Sequence, residues 1–192
     1  MNLTGETLLG RRWTPERRAV LRASRVDVTA QLVGAIEASS PRPRVLVSGS
    51  AVGFYGDRGN EVLDETSSSR DDFLSLLCRD WEAAAERATA LGLRVVRLRA
   101  GVVLGRAGGA LTQMLLPFKA GIGGPVGSGR QYFPWIHLHD LVNLIATAVQ
   151  DDRYTSAVNA VAPDVVTSRS FARALGRALR RPAFLQIGRA HV

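Results

Sequence analysis

Val45-Leu46-Val47, running into Ser48-Gly49-Ser50-Ala51, is a short continuous apolar stretch that ends in small residues. A run of that length without alternation fits a strand buried on both faces, as in a parallel sheet. Farther on, Val95-Val96-Arg97-Leu98 reads as a second strand of the same kind, and Ala157-Val158-Asn159 as a third, shorter one. Between the first two, Asp71 or Asp72 opens a helix through Phe73, Leu76, Leu77, Trp81 and Ala84 to Leu91, which Gly92 ends. Strand, helix and strand at these spacings predict an α/β fold with a parallel, doubly wound sheet.

The flanking segments extend that reading. Thr14-Pro15-Glu16 is a helix start, with Thr14 as cap and Pro15 at the first helical position. Val20, Leu21, Ala23, Val28, Leu32, Val33 and Ile36 then recur at helical spacing up to Pro41 and Pro43. Gly101 to Gly109 reads as a loop and Leu111 to Phe118 as a helix. Gly121 to Gly129 is a glycine-rich loop before the extended Tyr132-Phe133-Pro134-Trp135-Ile136. Asp140 is expected to cap a helix over 141 to 149, and Thr167 a last helix through Leu179. Ile187 to Val192 begin no recognisable element and match the translation of a common sequencing adapter. Residues 186–192 are therefore expected to be non-native, with native sequence stopping near Leu185.

Composition narrows the function classes. The chain has 192 residues, 46% of them apolar, which suits one domain with a real core. No run of eighteen or more uncharged apolar residues is present, and the first twenty residues hold Arg11, Arg12, Arg17 and Arg18 with no secretory pattern. A lone cysteine, Cys78, excludes an internal disulfide and a multi-cysteine metal site. The expected setting is cytoplasmic, with no membrane partner. The net charge is +8, and Lys119 is the one lysine beside 24 arginines. Those arginines are spread along the chain and are not interleaved with stacking aromatics, so nucleic acid is not the expected partner.

Several motifs suggest chemistry and fail on context. Gly53-Phe54-Tyr55-Gly56-Asp57-Arg58-Gly59 has phosphate-loop spacing, but the acidic, loop-like Asn60 to Thr66 follows where a helix N-terminus is needed. Ser50, His137 and Asp140 could form a hydrolase triad, yet Val47-Ser48-Gly49-Ser50-Ala51 is not a nucleophile elbow. His137 and His139 would point to opposite faces of a strand, and no further ligand completes a metal site. Ser48 and Ser50 instead leave the carboxyl end of a parallel strand, where open α/β sheets bind their ligands.

Taken together, the chain resembles an atypical extended short-chain dehydrogenase/reductase of the epimerase family, often labelled sugar-nucleotide epimerase or NADP-dependent oxidoreductase. The resemblance covers residues 1 to 185. It rests on Asn2-Leu3-Thr4-Gly5-Glu6, Gly10-Arg11-Arg12-Trp13-Thr14, Ser24-Arg25-Val26, Ser50 to Asp57, Asp80-Trp81-Glu82-Ala83-Ala84, Arg99 to Gly105, Gly123 to Gly129 and Pro134-Trp135-Ile136-His137. It implies a Rossmann-type sheet truncated at the first βαβ units, where the glycine fingerprint belongs, and at the C-terminal substrate domain, so that residues 1–185 form an internal fragment. It implies NADP as cofactor, with NAD the alternative, and a nucleotide-sugar-like substrate.

By match, Leu3, Thr4, Gly5 and Glu6 lie along the dinucleotide, with Ser48 and Arg99 as further cofactor contacts. Tyr55, Gly127, Arg130, Trp135 and His137 lie on the substrate side, no residue ligates a metal, and Ser50 takes the catalytic serine position. The superfamily's Tyr-x-x-x-Lys pair is missing, because Leu74 and Cys78 stand where it would fall. That departure leaves two readings: an epimerase or oxidoreductase, inactive as a fragment, or a non-catalytic protein that binds and senses NADP(H).

Overall fold

The first strand, β1 (Val45–Ala51), pairs in parallel with β2 (Arg94–Ala100), with Val45 opposite Arg94 and Ala51 opposite Ala100. These coordinates are a computed structural model that describes residues 1–8, 12–106 and 108–185. Gly10 and Arg11 of the family-like strings, and the expected adapter residues 186–192, lie outside the described residues. β2 also pairs in parallel with β5 (Ala157–Ala160), giving the order β1-β2-β5. The chain divides into two units, and this sheet belongs to the first, residues 1–100 and 142–160.

Strand alternation sends successive side chains to opposite faces, so each face needs its own helical cover. Leu46 and Val95 pack with Val33, Ile36, Ala85 and Ala88 on one face. That cover comes from α2 (Val28–Glu37), α3 (Phe73–Glu86) and the short 3-10 turn after α3. Val47, Val96 and Leu98 pack on the other face with Leu144, Ile145 and Ala148 of α5 (Leu138–Gln150), whose residues from Val142 onward belong to this unit. The sheet is covered on both faces, the doubly wound arrangement expected from the apolar runs. Asp72 caps α3 by accepting from the N–H groups of Leu74 and Ser75, and Gly92, at φ +84°, closes the following turn.

Three local expectations need correction in this unit and its neighbour. β1 does not fade after Val47 but continues through Ser48–Ala51, because its hydrogen-bonded partner β2 runs equally far. The helical stretch from Thr14 is α1 (Pro15–Arg22), a π-helical turn at Ala23–Asp27, and then α2. The π turn brings both Arg25 and Val26 into the interior, matching the five-residue step from Leu21 to Val26. α5 begins at Leu138, so Asp140 sits in its first turn instead of capping it. His137 provides the capping contact: its Nδ1 accepts from the His139 N–H at 3.2 Å.

The second unit comprises residues 101–141 and 161–192 as divided, described as far as Leu185. The expected loop from Gly101 contains a strand, β3 (Val102–Gly105), parallel to β4 (Trp135–His137). Its glycines hide it in the sequence, yet Gly101 is required, since a Cβ there would come within 2.7 Å of the Pro134 carbonyl oxygen. α4 (Gly109–Lys119) and α6 (Ser168–Leu179) complete the unit. Thr167 caps α6 as expected, accepting from the Ser170 N–H, and Phe171 stacks on Phe133 with ring centroids 4.2 Å apart.

Candidate functional site

The carboxyl ends of β1, β2 and β5 carry Ser50, Arg99 and Asn159, the position at which parallel sheets gather ligand-binding groups. Parallel pairing sets Ser50 opposite Arg99 and Arg99 opposite Asn159. Their side chains are joined through two residues from the covering segments, Glu82 of α3 and Tyr55 of the 3-10 turn after β1 (Val52–Tyr55).

Glu82 is 4% exposed and sits at the centre of this network. It accepts from the Ser50 hydroxyl at 2.6 Å and from Arg99 Nε and Nη2, each at 2.9 Å. The Arg99 contact is a two-pronged carboxylate–guanidinium pair, a geometry that satisfies the buried charges well. Arg97 adds a more distant ion pair to Glu82 at 3.6 Å. Arg99 Nη1 donates to the Tyr55 hydroxyl at 3.0 Å and to the Glu65 carbonyl at 3.1 Å. Tyr55 in turn donates to Asn159 Oδ1 at 2.6 Å, and the Asn159 N–H donates to the Glu65 carboxylate at 2.8 Å. The guanidinium also lies 3.5 Å from the centre of the Phe54 ring. Burial works against the Arg99 charge, but Glu82 and Tyr55 hold its pKa above the ordinary arginine value.

Cys78 lies one helical turn before Glu82. Burial pushes its thiol up to about 11, so the position that would carry a family lysine holds a neutral group instead. Its folded pKa lies above the unfolded value of about 9, so this contribution to stability is present below pH 9 and is lost as pH rises through about 11. Native protein at pH 8 is expected to react with a thiol-specific disulfide reagent at least about a hundredfold more slowly than urea-unfolded protein. Equal rates in the two states would show that Cys78 is neither buried nor held neutral.

The turn expected to face the dinucleotide is anchored at Asn2. Its backbone bridges β1, donating to the Val47 carbonyl at 2.8 Å and accepting from the Gly49 N–H at 2.7 Å. The Asn2 side chain donates to Thr29 Oγ1 and accepts from both the N–H and the hydroxyl of Thr4. Beyond that anchor, Leu3, Thr4, Gly5 and Glu6 are exposed. Arg25, brought inward by the π turn, holds the turn from behind by donating to the Glu6 carbonyl at 2.9 Å. Its guanidinium lies so close to Gly5 that a Cβ there would come within 2.9 Å of it.

The expected residues therefore fall into three groups, with Ser48 apart from them. Leu3 to Glu6 form an exposed edge beside β1. Ser50, Arg99 and Tyr55 meet in the buried network, whereas Ser48 is fully buried and its hydroxyl reaches only the Gly49 carbonyl, at 3.4 Å. Gly127, Arg130, Trp135 and His137 belong to the second unit. Gly127 takes a left-handed conformation in its loop, Arg130 and His137 are exposed, and Trp135 and His137 leave β4 on the same side. Glu82, Asn159, Glu65, Asn2 and Arg25 were not singled out as site residues from sequence.

A dinucleotide needs both a surface for its reactive end and a cradle for its diphosphate. The exposed turn at 3–6, fixed against β1, suits the former. For the latter, the N-termini of α1, before β1, and of α3, after it, are closed by the Thr14 and Asp72 side chains. The loop at Gly53–Gly59 likewise runs into turns, not a helix, so its phosphate-loop spacing stays without the required context. Among the described residues there is also no group of three or more His, Cys, Asp or Glu that could hold a metal, and no helix long and apolar enough to cross a membrane.

Comparison with known proteins agrees with this anatomy. The chain is 44% identical over 191 residues to epimerase family protein SDR39U1 of Bos taurus, covering 97% of this chain and 65% of that protein. It is 43% identical over 189 residues to the chloroplastic SDR39U1 homologue of Arabidopsis thaliana, covering 97% and 54%. The chain thus spans between about half and two thirds of the length of these relatives. The crystal structure of human SDR39U1 with NADPH superposes with a TM-score of 0.93 at 41% identity, covering 98% of this chain and 65% of that one. A UDP-glucuronic acid 4-epimerase from Bacillus cereus superposes at TM-score 0.80 with 14% identity, covering 97% and 60%, a likeness of fold alone that places the sheet in the Rossmann class. The family model for the NAD dependent epimerase/dehydratase family matches residues 2–160, and with the doubly wound sheet and its Asn2-anchored turn this establishes that the chain belongs to that family.

Proposed function

We propose that this sequence forms the cofactor-edge and substrate-side part of an NAD(P)-dependent epimerase or oxidoreductase acting on a nucleotide-sugar-like substrate. The observation that carries the reading is the exposed turn Leu3–Glu6, tied through Asn2 to the end of β1 beside the Ser50–Glu82–Arg99 network. Leu3, Thr4, Gly5 and Glu6 would lie along NADP, which supplies a hydride acceptor or donor when bound. Asn2 and Arg25 hold that edge in place. Ser48 and Arg99 would be further cofactor contacts, Tyr55 would be the substrate-side residue of the first unit, and Gly127, Arg130, Trp135 and His137 those of the second. NADPH in the human relative's structure supports the choice of cofactor.

A second reading has its own observation. Ser50, expected in the catalytic serine position, is 5% exposed and its hydroxyl donates a hydrogen bond to Glu82. Leu74 and Cys78 replace the tyrosine and lysine that would pass a proton during hydride transfer. Both facts favour a protein that binds and senses NADP(H) without turnover.

One experiment separates the readings. In a protein of the relatives' full length carrying this sequence, NADPH and NADH are titrated by tryptophan fluorescence, and hydride consumption is then followed across a panel of nucleotide sugars. Turnover of one of them supports the enzyme, and cofactor binding with no turnover supports the sensor. No saturable binding of either cofactor defeats both. Residues 1–185 by themselves are expected to show no turnover and only weak dinucleotide affinity at the cofactor edge, because the N-termini of α1 and α3 are closed by Thr14 and Asp72. A micromolar dissociation constant on that segment, lost on substitution within residues 2–6, would contradict this account.

A further inference from the structure

We propose that the C-terminal end of α6 carries a binding site for a nucleoside diphosphate, independent of the cofactor edge. Arg173 and Arg177 lie one helical turn apart, and Arg180 and Arg181 follow where the chain turns back. Together with Gly176, Ala183 and Phe184 they line a cleft of about 430 Å³. Among the described residues, no carboxylate lines it.

The cleft gathers four arginine side chains in one place. Several arginines elsewhere meet carboxylates, as in Arg22 with Asp80, Arg58 with Glu61, Arg94 with Asp152 and Arg153 with Asp151. Among the described residues, the four cleft arginines make no side-chain hydrogen bond and no ion pair. Like charges one turn apart repel each other. A helix C-terminus favours one nearby cation, which accounts for part of the cluster but not for four together.

The backbone is shaped to the same end. Arg180 adopts a left-handed conformation, φ 54° and ψ 43°, at a position where glycine is the unstrained choice. The Arg181 N–H then donates to the Gly176 carbonyl at 2.9 Å, and Ala183 packs so close to Gly176 that a Cβ there would come within 2.7 Å of it. This return sets Phe184, 75% exposed, on the rim beside the guanidinium groups.

Guanidinium groups recognise phosphate oxygens through paired N–H donors. Four of them without internal partners match a diphosphate better than a single small anion. An exposed aromatic face alongside supplies a stacking surface for a base, which makes a nucleoside diphosphate the fitting ligand.

The test is calorimetric titration of the full chain with ADP, UDP and inorganic pyrophosphate at low and moderate salt. Saturable binding of all three is expected. The double variant Arg177→Gln/Arg181→Gln should weaken each by at least about tenfold. Phe184→Ala should weaken ADP and UDP by about fivefold and leave pyrophosphate unchanged. The control Arg42→Gln/Arg87→Gln removes the same charge from other exposed positions and should change affinity by less than about twofold. Equal losses in the control and the cleft variant would reduce the effect to net charge and overturn the site. So would no saturable binding, or binding of duplex DNA without binding of pyrophosphate.

Discussion

Glu82→Ala is expected to lower the stability of the chain by about 3–5 kcal/mol, because it leaves a buried guanidinium without its counter-charge. Arg99 is 4% exposed and directs two of its N–H groups at the Glu82 carboxylate. Arg97 shares that carboxylate, so one deletion strands a cation fully and a second in part. For a chain of this size the melting midpoint should fall by about 10 °C. The reason is the uncompensated charge and not any large intrinsic strength of the pair, so a double replacement separates the two. Glu82→Leu/Arg99→Met removes both charges and should recover at least half of the loss, as buried ion pairs commonly exchange for apolar packing at little net cost. Thermal and urea unfolding of the three proteins check this. A double variant no more stable than Glu82→Ala would show that the pair contributes through strong direct attraction, contrary to this account.

What the sequence disclosed about this region, and what it concealed, follows from how far apart the interacting groups lie. Val45–Val47 and Val95–Leu98 were legible as parallel strands because burial on both faces leaves an unbroken apolar run. The continuation of β1 through Ser48–Ala51 was not, since small polar residues carry no such mark and the strand is fixed there by its pairing with β2. β3 was hidden by Gly101 and Gly105, which serve close approaches to Pro134 and Leu138. The buried network links Ser50 to Glu82 and Arg99 to Tyr55 across α3 and the sheet, and no local period encodes such contacts. One signal was available. Glu82 falls on the same helical face as Ser75 and Cys78, at spacings of seven and four, so a carboxylate was placed within a stripe of small, burial-prone residues. A charge in that position requires a buried cation, and the cations of β2 were the nearest in the predicted sheet. Arg25 and Asn2 were present in the family-like strings, but their positioning role depends on the π turn, which a regular 3.6-residue reading does not reveal.

Trp81→Ala is expected to cost about 3–5 kcal/mol and, in addition, to loosen the turn proposed to face the cofactor. The direct loss is that of a large core side chain, 7% exposed and packed with Leu21, Val26, Leu77 and Ala84. The second effect runs through hydrogen bonds. Trp81 Nε1 donates to Thr29 Oγ1 at 3.0 Å, and the same oxygen accepts from Asn2 Nδ2 at 2.8 Å. The indole also fills the space over Gly49, where a Cβ would come within 3.0 Å of it, and it underlies the Arg25 guanidinium, 5.4 Å from the ring. Asn2 and Arg25 are the two groups that fix residues 3–6, so the tryptophan supports that turn without touching it. Adjacent residues of α3 thus divide the work: Glu82 locks the strand ends, and Trp81 locks the edge beside them. Trp81→Phe isolates the second role, since it keeps most of the packing and removes the N–H. It should cost only about 1 kcal/mol, while hydrogen exchange at the Asn2–Glu6 amides rises by about tenfold or more above that of the β2 amides. If exchange in the turn and in β2 increased by the same factor, the tryptophan would act on global stability alone, and its link to the cofactor edge would be lost.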